Sequence, residues 1–191
     1  MAHVSIIGTG SMGQAIAGVV SRGGNGVELF GQTAADKPLT GDIVVLAVPH
    51  SAVSAVIAQR GDSLAGKVVV DITNPVDFET FDSLTVAPDS SATAEIASAL
   101  PQSRVVKAFN TTFAGTLAAG TVGPLTTTVL IAGDDADAKS LLTGVVAAGG
   151  LKAIDVGSLN RARELEAMGF LQITLAANEK VSWTGGFGIV A

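Results

Sequence analysis

The spacing of apolar positions changes repeatedly along the chain, and each change marks an element. His3–Ile7 is a short apolar run that leads into a glycine cluster. Over Ser11–Ser21 the apolar residues Met12, Ile16, Val19 and Val20 recur at helical spacing, and Gly23-Gly24 stops the helix. Val27–Phe30 is a second strand. Asp42–Val48 (DIVVLAV) and Lys67–Ile72 (KVVVDI) are nearly unbroken β-branched runs, as expected of strands buried on both faces. A helix over Ala52–Gln59 separates them. Ser90 or Ser91 caps a helix running to about Leu100, where Pro101 ends it. Arg104–Phe109 and Thr126–Ala132 are strands. Asp134 or Asp135 caps a helix that ends at Gly149-Gly150, Leu151–Val156 is the last strand, and Asn160 to about Lys180 reads as one long helix with a tail behind it.

Strands alternating with helices predict an α/β fold with a doubly wound, mainly parallel sheet. In such sheets, ligands bind beyond the carboxyl ends of the strands. The strand pattern stops near Gly157, which divides the chain into a sheet-forming part, residues 1–156, and a C-terminal helix and tail, residues 157–191. Only residues 31–41 connect the second and third strands. A parallel crossover ordinarily takes about a dozen residues, most of them helix. Pro38 and Gly41 shorten any helix there, so the crossover helix is expected to be vestigial.

Composition narrows the chemistry. The 191 residues are 48% hydrophobic, enough for a packed core, with no apolar run of the roughly 18–20 residues a membrane span needs. Met1-Ala2-His3-Val4 lacks the basic start of a secretion signal, so the expectation is a soluble, cytoplasmic protein with no membrane partner. A net charge of −6 argues against nucleic acid, which needs a basic face. The chain has no cysteine and no tyrosine, and its two histidines are His3 and His50. Thiolate chemistry, cysteine-ligated or multi-histidine metal sites and tyrosine acids are therefore not expected. Any reaction must rely little on side-chain acids and bases.

The glycine cluster supplies a ligand. Gly8-Thr9-Gly10-Ser11-Met12-Gly13 follows a strand, opens a helix and precedes a second strand, the setting in which G-x-G-x-x-G binds a dinucleotide in a Rossmann fold. Gly8 makes the tight turn, Gly10 admits the pyrophosphate, and Gly13 packs the helix on the sheet. Residues 1–156 then read as a dinucleotide-binding domain. The acid that would bond the ribose 2′-hydroxyl of NAD is missing from the end of the second strand, because Glu28 lies inside it. That favours NADP slightly. Gln32, Thr33 and Lys37 are the groups nearest a 2′-phosphate, and none is an arginine.

GTGSMG, AVPH at 47–50, DITNP at 71–75, KAFNT at 107–111 and RARELEAMGF at 161–170 stand in the order found in the coenzyme F420-dependent NADP oxidoreductases, and the chain resembles that family over essentially its whole length. The resemblance implies hydride transfer between NADP(H) and a deazaflavin or flavin-like acceptor of the coenzyme F420 type. By position, it implies that Gly8, Thr9, Gly10, Ser11, Met12 and Gly13 hold the pyrophosphate. Ala47, Val48, Pro49 and His50 would line the ribose and nicotinamide side. Thr73, Asn74 and Pro75 would lie by the nicotinamide and the acceptor ring, and Ala108 and Asn110 would close the pocket. Gln32-Thr33 stands where the family usually carries a serine-arginine or similar basic pair.

No catalytic acid or base is assigned; Asn74, Pro75 and His50 position the rings. Holding two rings face to face supplies much of such a catalysis. Lys107 reads as a structural or surface residue, Arg161, Arg163 and Glu164 as a solvated helix face, and His3 has no evident role. The partner is a small-molecule redox acceptor. Leu165, Met168, Leu171 and Leu175, with Trp183, Phe187, Ile189 and Val190 of the tail, give the C-terminal segment an apolar surface suited to a homodimer or to covering the acceptor site. Two other readings stand: a non-catalytic NADPH-binding sensor or subunit, and a small enzyme like the 3-hydroxyacid dehydrogenases, whose helical second domain is here reduced to about 35 residues after Gly157.

Overall fold

The computed structural model describes residues 1–31, 34 and 37–190. Five parallel strands come first: β1 (His3–Ile7), β2 (Gly26–Phe30), β3 (Ile43–Leu46), β4 (Val68–Asp71) and β5 (Arg104–Lys107). Their helices are α1 (Ser11–Arg22), α2 (His50–Leu64) and α3 (Ala92–Ala99). Then follow α4 (Ala114–Ala119), a small hairpin of β6 (Thr121–Val122) and β7 (Leu125–Thr126), and β8 (Thr128–Gly133), α5 (Ala136–Ala148), β9 (Lys152–Gly157) and α6 (Ala162–Ala177). The main sheet runs β2-β1-β3-β4-β5-β8-β9. Its order reverses between β1 and β3, which is where such a sheet opens a crevice.

The two-sided burial expected of the β-branched runs is observed. Ile43, Val45, Val68 and Val70 belong to one core layer with Ile16 and Val20 of α1 and Leu142 and Val146 of α5. Their neighbours Val44, Leu46 and Val69 point the other way, into a layer closed by Val53 and Leu64 of α2 and Ile96 of α3. Burying each such side chain contributes about 1.5–3 kcal/mol, so a one-residue register slip would be very costly. The caps fall where expected. Ser91 accepts from the Ala94 N–H at 3.0 Å and Asp135 from the Ala138 N–H at 2.7 Å.

Several elements differ from the sequence reading. β8 pairs antiparallel with β5, through Val106↔Gly133 and Lys107↔Ala132, so β8 and β9 run against the first five strands. Residues 114–126, not expected to be structured apart from a strand start, form α4 and the hairpin that turn the chain round. The last helix is shorter at both ends, with a 3-10 turn at Leu159–Arg161 leading into it. α2 runs on to Leu64, five residues past Gln59, which brings Arg60 onto the helix.

The expectation of a vestigial crossover helix falls largely on residues 32, 33, 35 and 36, outside the described residues, and two groups of contacts tie the described part of the crossover to the sheet and to α2. His3, Glu28 and Thr40 join across it: Thr40 Oγ1 donates to Glu28 Oε1, and His3 Nε2 lies 3.2 Å from the same carboxyl. His3 thus has a role that its sequence context did not suggest. On the other side Arg60, 6% exposed, donates to the carbonyls of Lys37 (2.9 Å) and Ala34.

α6 and the tail lie on the same body. Leu165 packs on Leu130 and Ala132, and Ile189 of the tail joins them. Trp183 packs against Phe113 with ring centroids 4.9 Å apart and planes tilted by 56°. Leu171, Trp183, Phe187 and Val190 stay exposed. Among the described residues no helix is long and apolar enough to cross a membrane.

Candidate functional site

The glycine loop sits at the order reversal of the sheet. The Gly8 N–H donates to the Phe30 carbonyl at 2.9 Å, and the Ala47 N–H to the Ile7 carbonyl at 2.8 Å, so the ends of β1, β2 and β3 are tied together around it. Gly8 has φ +123°, and a Cβ there would overlap the Ala47 carbonyl oxygen. A Cβ at Gly13 would overlap the Gly8 carbonyl oxygen. At Gly10 a Cβ would meet nothing within 4 Å among the described residues. The outer glycines of the motif serve the fold; the central one leaves open space. Gly10 caps α1 without any side-chain bond to the first turn. The N–H groups at Ser11 and Met12 thus open the positive end of the helix dipole to an anion.

From this loop an open cleft of about 790 Å³ runs outward. One wall is Thr9, Gly10, Phe30 and Gly31; the other is Ala52, Ala55 and Val56 of α2, with Gln59 and Arg60 at the far end. Ala47, Val48 and Pro49 form its floor near the glycine loop. The cleft is of a size and polarity suited to an adenosine half. Gln32 and Thr33 lie outside the described residues. His50 is absent from the cleft lining; it borders a groove between α2 and α3 with Val53, Ile57 and Ile96.

A second group gathers past the ends of β4 and β5. Asn74 Nδ2 donates to the Asn110 carbonyl, and Asn110 Nδ2 donates to Asn74 Oδ1, both at 2.9 Å. Asn110 Nδ2 also donates to the Leu165 carbonyl of α6 at 2.8 Å. A Cβ at Gly169 would overlap the Asn74 amide, so this helix glycine makes room for the clasp. Thr85 holds the turn by donating both its N–H and its hydroxyl to the Pro75 carbonyl. Phe109 adopts φ +63° while only 2% exposed, a conformation costly for a bulky residue that turns the chain so that Asn110 meets Asn74. Asn110 Oδ1 and Thr73 Oγ1 are buried without a hydrogen-bond partner among the described residues. Ala108 is fully buried and donates its N–H to the Asp71 carbonyl at 3.1 Å.

Beneath the clasp lies a buried ionic cluster. Lys107 Nζ contacts Asp71 Oδ2 at 2.8 Å, Glu166 Oε1 at 2.9 Å and the Thr73 carbonyl at 2.5 Å. Thr93 Oγ1 donates to Asp71 Oδ2 at 2.7 Å, and the Ala92 N–H to Glu166 Oε2 at 2.9 Å. Burial alone would raise the Asp71 carboxyl. The Lys107 charge, with hydrogen bonds from Lys107, the Thr73 N–H and Thr93, outweighs it and holds Asp71 below its ordinary value. Lys107 is therefore a core residue and not a surface one; Arg161, Arg163 and Glu164 are solvated as expected. Glu166 and Gly169 were not singled out from the sequence. A lone glycine inside a helical pattern was the one available signal, since it marks a close approach.

Comparison with known proteins bears on the family and the fold. Residues 25–75 match a family described as NADP oxidoreductase, coenzyme F420-dependent. An F420-dependent NADP reductase of Methanocaldococcus jannaschii is 29% identical over 171 residues, 87% of this chain and 76% of that protein. An F420-dependent NADP reductase of Methanothermobacter marburgensis is 31% identical over 165 residues, 83% of this chain and 73% of that protein. A solved structure from Arthrobacter sp. FB24, provisionally described as an F420-dependent NADP-reductase, superimposes with a TM-score of 0.86 over the whole of both chains at 24% identity. At that identity it shows the shared fold alone.

Proposed function

The chain belongs to the coenzyme F420-dependent NADP oxidoreductase family, and from that premise we propose that it transfers a hydride between the nicotinamide of NADP(H) and the deazaflavin ring of coenzyme F420. It is an NADP-dependent oxidoreductase. The observation that carries the reading is the open space at Gly10, between a free helix N-terminus and the adenosine-sized cleft. In this reading the adenosine half lies along Ala52, Ala55 and Val56, and the pyrophosphate meets the N–H groups of Ser11 and Met12. The nicotinamide passes Ala47–Pro49 toward Thr73, Asn74 and Pro75. The unpartnered Asn110 Oδ1 and Thr73 Oγ1 suit the carboxamide of the nicotinamide or the polar edge of the acceptor ring.

The hydride carries both electrons, and a solvent proton completes the reduced deazaflavin. No side chain has to act as acid or base. Mixing the protein with NADPH and F420, FMN or a ferric chelate in turn should oxidise NADPH with F420, one F420 reduced per NADPH consumed. Dinucleotide binding without turnover on any acceptor would overturn this in favour of a sensor.

Residues 157–191 serve in this proposal as dimer contact and acceptor-site cover. Leu171, Trp183, Phe187 and Val190 offer apolar surface to a second copy, and α6 already holds Asn110 through the Leu165 carbonyl. Deleting residues 182–191 should weaken self-association and lower turnover more than NADPH affinity, read by sedimentation and steady-state kinetics. A full-length protein that sediments as a monomer at tens of micromolar would rule the dimer out.

A further inference from the structure

Arg60 is the one charged side chain among the described residues lining the cleft. Its guanidinium stands at the end of β2: Cζ is 5.3 Å from the centroid of the Phe30 ring, whose residue closes the strand and accepts from the Gly8 N–H. Two of its N–H groups donate to the carbonyls of Ala34 and Lys37 in the loop that follows. In a dinucleotide fold the side chain at this strand end reads the ribose 2′ position. A carboxylate accepts the free hydroxyl, and an arginine accommodates the phosphate. Glu28 cannot serve, because it is held by Thr40 and His3.

We propose that Arg60, reaching the end of β2 from α2, reads the 2′-phosphate of NADP in this chain. The proposal rests on the dinucleotide reading of the cleft. It supplies the fixed positive charge that the segment after β2 lacks at Gln32-Thr33. Three features of the site suit the task. Arg60 as a residue is 6% exposed, and charge interactions at a buried position are screened less than in water. Its plane is fixed by two carbonyls and an aromatic face, so little side-chain freedom is lost on binding. The chain as a whole carries −6, so a phosphorylated ligand needs a local cation to enter.

Arg60→Met separates this role from simple support of the loop. Affinities for NADPH, NADH, 2′,5′-ADP and 5′-AMP are measured by titration, beside thermal melting. Losing a charge-assisted contact should weaken NADPH and 2′,5′-ADP by about ten- to a hundredfold, with NADH and 5′-AMP changed by less than about threefold. Equal losses for phosphorylated and unphosphorylated ligands, or no loss at all, would overturn the assignment. If Arg60→Met does not fold, Arg60→Lys serves. It keeps the charge but loses the planar fork, so the ratio of NADPH to NADH affinity should fall by about three- to tenfold, and an unchanged ratio would overturn the assignment. A wild-type protein that binds none of the four ligands would instead defeat the dinucleotide reading itself.

Discussion

Lys107→Met should lower the unfolding free energy by about 3–5 kcal/mol, because it strands two buried acidic side chains without their cation. For a chain of this length that corresponds to a fall in Tm on the order of 10 °C. Asp71 and Glu166 are 0% and 1% exposed, and Lys107 is the ammonium that both contact. The Thr73 carbonyl would lose its donor as well, so the turn carrying Asn74 and Pro75 should loosen and NADPH turnover should fall. The double variant Lys107→Met with Asp71→Asn should recover part of the stability, since one stranded carboxyl is then neutral.

The pH dependence has a definite sign. The folded Asp71 carboxyl is depressed below 3.8. Its contribution is therefore fully present above that value and is lost as pH falls through the folded one. Wild-type stability should be insensitive to this group between pH 5 and 7 and should decline in stronger acid. Lys107→Met reverses the slope. With burial no longer opposed by the ammonium, Asp71 is raised, and the variant should be more stable at pH 5 than at pH 7. Chemical denaturation at the two pH values measures both slopes. Equal stability of variant and wild type would show that the cluster does not hold the core.

Gly10→Val should cost at least about tenfold in NADPH affinity while leaving the fold intact. The structure separates this glycine from its neighbours. Branched side chains at Gly8 or Gly13 collide with the Ala47 or Gly8 carbonyl and should destabilise the protein outright. At position 10 an added Cβ meets no non-neighbouring atom of the described residues within 4 Å, so a branched side chain there is directed at the ligand's space. Titration with NADPH beside a thermal melt reads both effects. A folded Gly10→Val with wild-type affinity would remove the pyrophosphate from this loop.

Features set by near neighbours in sequence were legible there. Three glycines in six residues, Ser91 and Asp135 at helix starts, and the alternation of Ile43, Val44, Val45 and Leu46 all act over a few residues. What was hidden depends on distant partners. Lys107 meets Asp71 and Glu166 across 36 and 59 positions, and the sequence around it looks like any strand end. Arg60 fell just past the expected end of its helix at Gln59, and its bonds to the carbonyls of Ala34 and Lys37 reach back across more than twenty positions. The direction of β8 was equally hidden, because an apolar run records burial and not orientation. The turn-round rests on α4 and a hairpin of two-residue strands, too short for periodicity to reveal.

The central claim is that the chain does little chemistry of its own and holds two rings close enough for a hydride to pass directly. NADPH carrying deuterium at both C4 positions of the nicotinamide, mixed with the protein and F420 in ordinary water, tests this in one measurement. Mass spectrometry of the reduced F420 should find one deuterium per molecule in a position that does not exchange with solvent. Reduced F420 without the label, or labelled NADPH bound and unconsumed, would contradict the account.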